Sequence, residues 1–351
     1  MEPRRTATNR PHHGRPVRRR RRRQGCAPRV LALVIIALIL GVGAYALFGS
    51  DSNGDEPGNG AGHRRAEGRS GNWIEDEDDP EGDNGVDGGA NGNASSGNND
   101  NYEPGPRLPG LPLTLISTRD VTDTGYLSLI NHSHPAPSEP DAHLLESAWP
   151  TVAVSRIDGM YLHSSALRAI SYMFATARAA EVGAFFVSSG FRDFYQQAYL
   201  YGDGTSGDLV MPPGFSEHHT GLAADILVVG LGMWDLVTAP EGLWLAANSY
   251  RYGLILRYPQ GAEDITGIAF EPWHFRYVGR VHAYYIMQQG FVLEEYIQYI
   301  RDQGYFSFEK GGITHYVFHQ VPTDGMIYVP DGRDFVVSGD NMGGYVVWAV
   351  Q

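Results

Sequence analysis

A run of 19 residues without one charged side chain, VLALVIIALILGVGAYALF at Val30–Phe48, constrains this 351-residue chain more than any other feature. A helix rises about 1.5 Å per residue, so the run would span roughly 28 Å and match the ~30 Å hydrocarbon core of a bilayer. Residues 1–29 hold eleven arginines and one acid, and basic residues collect on the cytoplasmic side of a membrane segment. We therefore predict a basic cytoplasmic tail at 1–29, a transmembrane anchor at 30–48 and an extracytoplasmic remainder.

Two other interpretations of the apolar run stay open. The tripeptide Ala44-Tyr45-Ala46 resembles the A-x-A site of a cleavable signal peptide, although the run is at the long end for such a peptide. The other alternative is a buried helix of a globular domain. We favour an uncleaved anchor, which predicts a single-pass protein with its N-terminus in the cytoplasm.

The charge of the chain is segregated. The formal net charge is −13, and because residues 1–29 carry +10, the remaining residues carry −23. The run Arg18–Arg23 matches the basic clusters of nucleic-acid-binding and nuclear-import segments. We nevertheless exclude a nucleic-acid partner, because phosphate contacts require a positive surface and this chain is acidic overall.

Residues 49–110 have the composition of a flexible linker. They contain fourteen Asp and Glu against four Arg, and Gly, Asn and Ser fill most other positions. Such a segment buries too little apolar surface to offset its ordering entropy, so we predict that it is disordered. The acidic run Glu75–Asp79 could suggest calcium binding, but it lacks the spaced ligands and the turn glycine of a calcium loop. A solvated charge run is the better interpretation.

Aromatic and aliphatic residues return from residue 111 onward, and their pattern predicts an α+β domain over 111–303. Ser164 can cap a helix whose apolar face consists of Leu167, Ile170, Phe174 and Ala177. The other expected elements are strands at 184–188, 222–229, 254–257 and 275–278 and helices at 194–201, 241–250, 280–289 and 293–303. Residues 304–351 alternate apolar and polar residues between turn signals, which predicts a small β-rich C-terminal extension. The predicted fold class is α+β, a small antiparallel sheet with flanking helices.

The segment SEHHTGLAAD at 216–225 concentrates side chains that bind metal. His218 precedes a small-residue turn, and Asp225 follows within an apolar strand, so the two side chains can converge. Imidazole and carboxylate are ligands suited to zinc. Histidine pairs on loops are more often exposed or structural, so this segment alone is weak evidence for a metal site. The only cysteine, Cys26, rules out a four-cysteine zinc site and an internal disulfide framework.

Two further segments strengthen the prediction of a zinc site. In EPWH at 271–274, His274 offers a third ligand, and two His with one Asp leave a fourth tetrahedral position open for water. Glu271 is then placed to accept a proton from that water. Arg192, just after a predicted strand, could neutralise a developing oxyanion. Taken singly, these residues could also be a surface ion pair, a core histidine and a structural arginine.

Together the three segments resemble the VanY-type D-alanyl-D-alanine carboxypeptidases, zinc peptidases that trim peptidoglycan stem peptides. SEHHTGLAAD is similar to the family signature S-x-H-x-x-G-x-A-x-D, and EPWH to its E-x-x-H signature. SGFRDFYQQ at 189–197 resembles the family segment S-G-[FY]-R-x-x-x-x-Q. The similarity extends from about residue 126 to residue 299.

The resemblance implies a role for each matching residue. The implied zinc ligands are His218, Asp225 and His274, the implied general base is Glu271, the implied transition-state stabiliser is Arg192, and the implied substrate-binding residues are Gln197 and Ser216. His219 departs from the pattern, because many members carry another polar residue there, and it could compete with His218 as a ligand. We prefer His218, since the spacing to Ser216 and Asp225 fixes its register.

The function implied by the resemblance is that of a membrane-anchored zinc D,D-carboxypeptidase at the bacterial cell surface. It would remove the terminal D-Ala of peptidoglycan stem pentapeptides. Two alternatives stay open: an L,D-carboxypeptidase acting on tetrapeptide stems, and an inactive wall-binding protein. The sequence does not predict an oligomeric state or a role for the C-terminal extension.

Overall fold

The computed structural model describes residues 108, 110–202 and 210–351. The strands are β1 (Leu113–Ser117), β2 (Leu145–Ser147), β3 (Tyr161–His163), β4 (Phe185–Ser189), β5 (Ala223–Val228), β6 (Leu254–Leu256), β7 (His274–Tyr277), β8 (Tyr305–Lys310), β9 (Ile313–Gln320), β10 (Met326–Pro330), β11 (Phe335–Gly339) and β12 (Tyr345–Val350). The α-helices are α1 (Ser164–Ala179), α2 (Phe194–Tyr201), α3 (Pro240–Asn248), α4 (Glu263–Thr266), α5 (Arg280–Gln289) and α6 (Leu293–Gln303).

A four-stranded antiparallel sheet with the order β4-β5-β7-β6 lies at the centre of the predicted domain. Its two inner strands are β5 and β7, and all four residues of β7 are buried. The strand register pairs Asp225 of β5 with His274 of β7, and with Ser189 of β4 on its other side. Residues 49 positions apart in the chain therefore become direct neighbours.

Helix α1 packs its apolar face against this sheet. Leu167, Ile170, Phe174 and Ala177 recur at the spacing of a helical stripe and are all buried, as predicted. The predicted cap was wrong by one residue: the side chain of His163, not that of Ser164, accepts the hydrogen bond from the Ser165 N–H. An imidazole nitrogen can serve as the acceptor that an N-cap requires.

The C-terminal residues form a second four-stranded sheet with the order β11-β12-β9-β8. Val317 and Val346 of this sheet share a core with Ile297 and Ile300 of α6. Strand β1, at the start of the described chain, pairs antiparallel with β10, so that Leu113 lies opposite Pro330. The C-terminal strands therefore bury apolar surface against α6 and pair with β1, the first strand of the described chain.

The prediction of a mixed α and β fold with small antiparallel sheets is confirmed. Within the described residues, no helix combines the length and the apolar character needed to cross a membrane. The predicted tail (1–29) and anchor (30–48) lie outside the described residues, as does the predicted linker (49–110) except for residues 108 and 110. The domain boundaries stay predictions.

Candidate metal centre

A short turn before β5 carries the first ligand candidate. Residues Glu217–Thr220 form a 3-10 helix, and the Ser216 hydroxyl accepts a hydrogen bond from the His218 N–H at 3.4 Å. Gly221 ends the helix with φ at +68°, a conformation that side chains rarely adopt. A Cβ there would also lie 2.7 Å from Leu145 Cδ2. The turn therefore needs glycine, and it directs the chain straight into β5.

Three side chains converge beside the central sheet. The Asp225 carboxylate oxygen Oδ1 lies 3.1 Å from His274 Nδ1 and 3.5 Å from His218 Nε2. One ligand atom from each residue lies within 4.8 Å of the other two. The structure thus brings together the three predicted zinc ligands, at separations that a single metal ion could bridge.

The hydrogen bonds of His218 determine which of its ring nitrogens is free to bind a metal. Its Nδ1–H donates to the Gly190 carbonyl at 2.7 Å, which leaves the Nε2 lone pair directed at Asp225. Burial, with the nearby Arg192 charge, lowers the pKa of His218 to about 4. The imidazole is therefore neutral, as a metal ligand must be. Gly190 itself packs closely against β3, where a Cβ would lie 2.5 Å from the Tyr161 carbonyl oxygen, so this position requires glycine.

His219 points away from this cluster. Its Nε2 accepts a hydrogen bond from the Gly214 N–H at 2.9 Å, and its Nδ1–H donates to the Arg192 carbonyl at 2.7 Å. Both ring nitrogens are therefore engaged in holding two neighbouring loops. This geometry favours His218 over His219 as the ligand.

Glu271 borders the cluster. Its Oε2 lies 3.7 Å from His274 Nδ1. Burial, together with the neighbouring Asp225 and Glu217 charges, raises the pKa of Glu271 to about 7, even though His274 and Arg192 oppose the shift. A carboxyl with such a pKa can exchange a proton near neutral pH, which suits a general base.

Arg192, the predicted transition-state stabiliser, lies close to the same carboxylates. Burial lowers its pKa, while Asp225 and Glu271 oppose that shift. Within the described residues, its buried Nε has no hydrogen-bond partner. Leaving a buried donor without a partner costs free energy. This N–H is therefore available to an acceptor on a group that enters the site.

The two predicted substrate-binding residues differ in their contacts. Gln197 of α2 is buried, and its Nε2 donates to the Met211 carbonyl at 2.6 Å. Its Oε1 is buried and has no partner within the described part of the chain. Ser216 instead uses its hydroxyl to cap the 3-10 helix, so one of its contacts is structural.

Sequence reasoning missed a buried ionic network next to the cluster. Glu217 is fully buried, and its Oε1 accepts hydrogen bonds from Arg257 Nε at 2.8 Å and Arg276 Nη1 at 2.9 Å. Burial alone would raise the pKa of Glu217, but the two arginines hold it well below its usual range. The available signal was one arginine at the end of a predicted apolar strand, Arg257, and one inside another, Arg276, since a buried charge requires a partner. The Tyr258 ring, 4.9 Å from the His274 ring, was also missed.

The chain is similar to known proteins over the segment that carries this cluster. The sequence profile described as "VanY: D-alanyl-D-alanine carboxypeptidase" matches residues 159–280, which include all seven predicted site residues. A "putative carboxypeptidase YodJ" of Bacillus subtilis is 34% identical over 191 residues, which cover 50% of this chain and 68% of that protein. The chain belongs to the VanY family. The predicted family is thereby confirmed.

Two further relatives extend the comparison within the VanY family. A D-alanyl-D-alanine carboxypeptidase of Enterococcus faecium is 36% identical over 189 residues, or 54% of this chain; the match spans 61% of the length of that relative. A solved structure of the D,D-dipeptidase VanXYg, in complex with a D-Ala-D-Ala phosphinate analogue, aligns with a TM-score of 0.56 and 25% identity. That alignment covers 69% of this chain and 99% of VanXYg.

Proposed function

We propose that this protein is a zinc-dependent D,D-carboxypeptidase that removes the terminal D-Ala from peptidoglycan stem pentapeptides. The observation that carries the proposal is the convergence of His218, Asp225 and His274 beside Glu271. Relatives named D-alanyl-D-alanine carboxypeptidase, and a related dipeptidase bound to a D-Ala-D-Ala phosphinate analogue, support this substrate class. A phosphinate resembles the tetrahedral state of peptide hydrolysis, so that ligand also fits attack by water.

The three ligand candidates fit a catalytic zinc ion. The atoms that face one another are His218 Nε2, His274 Nδ1 and Asp225 Oδ1. This set of two imidazole nitrogens and one carboxylate oxygen would leave one tetrahedral position of a zinc ion open. Asp225 offers an ionised oxygen: burial alone would raise its pKa, but its contacts with the two histidines outweigh burial and lower it. When bound, zinc would polarise the scissile carbonyl and make water more acidic.

The remaining residues supply proton transfer and charge stabilisation. Glu271 accepts a proton from the attacking water and returns it to the amine of the departing D-Ala. Arg192 faces the oxygen on which negative charge develops, and a guanidinium keeps its charge at all working pH values. Gln197 Oε1, buried and unpartnered within the described residues, is available to a substrate N–H.

Release of D-Ala by the purified full-length protein in detergent tests this function. We expect zinc-dependent release from a pentapeptide stem ending in D-Ala-D-Ala, and loss of release with a chelator. His218→Ala should lose both zinc and activity, whereas the matched variant His219→Ala should retain zinc, because both ring nitrogens of His219 are engaged elsewhere. Elemental analysis and D-Ala quantification are the two measurements.

Three results of this experiment would contradict the proposal in different ways. Release only from a tetrapeptide stem would identify an L,D-carboxypeptidase. No release from either stem by zinc-loaded protein would favour a wall-binding protein. Equal zinc loss in the His218 and His219 variants would mean that the ligand is misassigned.

We further propose that the enzyme is anchored at the outer face of the membrane by residues 30–48. The support is the 19-residue apolar run with eleven arginines on its N-terminal side. Protease added to intact spheroplasts should remove the catalytic domain and leave a small membrane-bound fragment. A mature N-terminus directly after Ala46 would instead establish cleavage of a signal peptide.

A further inference from the structure

Glu217 lies between the ligand cluster and two buried arginines, and its two carboxylate oxygens face different partners. Oε1 accepts both arginine hydrogen bonds, from Arg257 and Arg276. Oε2 faces His274 Nε2 at 3.5 Å. Both of these facing atoms are buried and, within the described residues, neither has a hydrogen-bond partner.

The two ring nitrogens of His274 have distinct surroundings. Nδ1 faces the ligand atoms, 3.1 Å from Asp225 Oδ1. If Nδ1 binds the metal, Nε2 must carry the remaining proton of the neutral ring. A buried N–H without an acceptor would be destabilising, and the Glu217 oxygen is the acceptor that the geometry offers.

The arginines hold the Glu217 carboxylate in place. Arg257 also pairs with Glu294, at 2.6 and 2.8 Å. Arg276 Nη2 donates to three backbone carbonyls, those of Gly125, Tyr126 and Ser128. Rotation of Glu217 away from His274 would therefore break the hydrogen bonds from two arginines that are themselves held in place.

We propose that Glu217 is a positioning residue that holds His274 with Nδ1 directed at the metal. Carboxylates that accept the second N–H of a ligating histidine fix its tautomer and raise its basicity. This inference rests on the proposed metal site, and it does not depend on which peptide is cleaved.

Zinc affinity of the full-length protein tests this role without any substrate. We expect Glu217→Gln to raise the zinc Kd, measured against a competing chelator, by about 10–100-fold. The matched control is Glu294→Gln, which removes the other carboxylate that pairs with Arg257 but does not touch His274, so its zinc Kd should change far less than that of Glu217→Gln. A folded Glu217→Gln protein with wild-type affinity, or equal losses in both variants, would overturn the proposal.

A second measurement on the wild-type protein requires no substitution. In the zinc-loaded protein, NMR correlations of the histidine rings should assign the proton of His274 to Nε2. A proton on Nδ1 would overturn the proposal even if Glu217→Gln fails to fold. The two hypotheses are separable, because wild-type protein that binds zinc but releases no D-Ala contradicts the proposed function and leaves the role of Glu217 standing. Wild-type protein that binds no zinc contradicts both.

Discussion

Replacing Glu271 with Gln should lower kcat for D-Ala release by about 10²–10⁴-fold and leave the zinc content unchanged. The amide keeps the shape of the carboxylate but cannot accept the proton of the attacking water. Glu271 is not one of the three residues whose ligand atoms converge, so metal binding should survive.

The measurement is steady-state D-Ala release together with elemental analysis of the same protein sample. Near-normal turnover of zinc-loaded Glu271→Gln would mean that another residue activates water. Loss of zinc in this variant would instead make Glu271 part of the metal site. Glu294→Gln is a suitable control, because it removes another carboxylate, partly buried, that lies on α6 and pairs with Arg257.

Replacing Arg192 with Ala should lower kcat by about 10²–10³-fold, the usual effect of removing one oxyanion donor. The backbone of Arg192 is fixed to the ligand turn, because its N–H donates to the His218 carbonyl at 3.2 Å. A charge held in this position interacts more strongly with a tetrahedral oxyanion than with a neutral carbonyl, so it lowers the barrier. Arg192→Lys should rescue activity only in part, since lysine keeps the charge but loses the planar fork.

Separate values of kcat and KM decide between two roles of Arg192. A fall in kcat supports stabilisation of the transition state. If Arg192→Ala raises KM alone, the guanidinium binds the substrate instead, through a group such as its terminal carboxylate.

The helices were the most predictable part of the fold. Helices α2, α5 and α6 have the bounds expected from the sequence, and each is followed by a glycine, at 202, 290 and 304. All three glycines have positive φ, a conformation that ends a helix at low cost. Strand β5 is shorter by one residue at each end than predicted, because the hydrophobic pattern does not mark where pairing with β4 and β7 stops.

The ligand cluster could be predicted from the sequence for a different reason. His218 and Asp225 are joined by one short turn, so their proximity follows from local spacing. His274 joins them through the β5–β7 register, which the sequence alone does not specify, and the family signature supplied that step. No local spacing and no family signature indicated the ionic network. Glu217, Arg257 and Arg276 are far apart in the chain, and a charged residue next to a histidine pair is ordinarily expected at the surface.

The pairing of β1 with β10 has a consequence for how this domain folds during its synthesis. Strand β1 is synthesised early, but its partner, Met326–Pro330, follows about 200 residues later. Contacts this distant in sequence slow folding, because a long loop must close before they form. Until the last strands are available, β1 has an unpaired edge of the kind that other chains can bind. We therefore expect fragments that stop at residue 303 to aggregate, even though every predicted catalytic residue lies before that point.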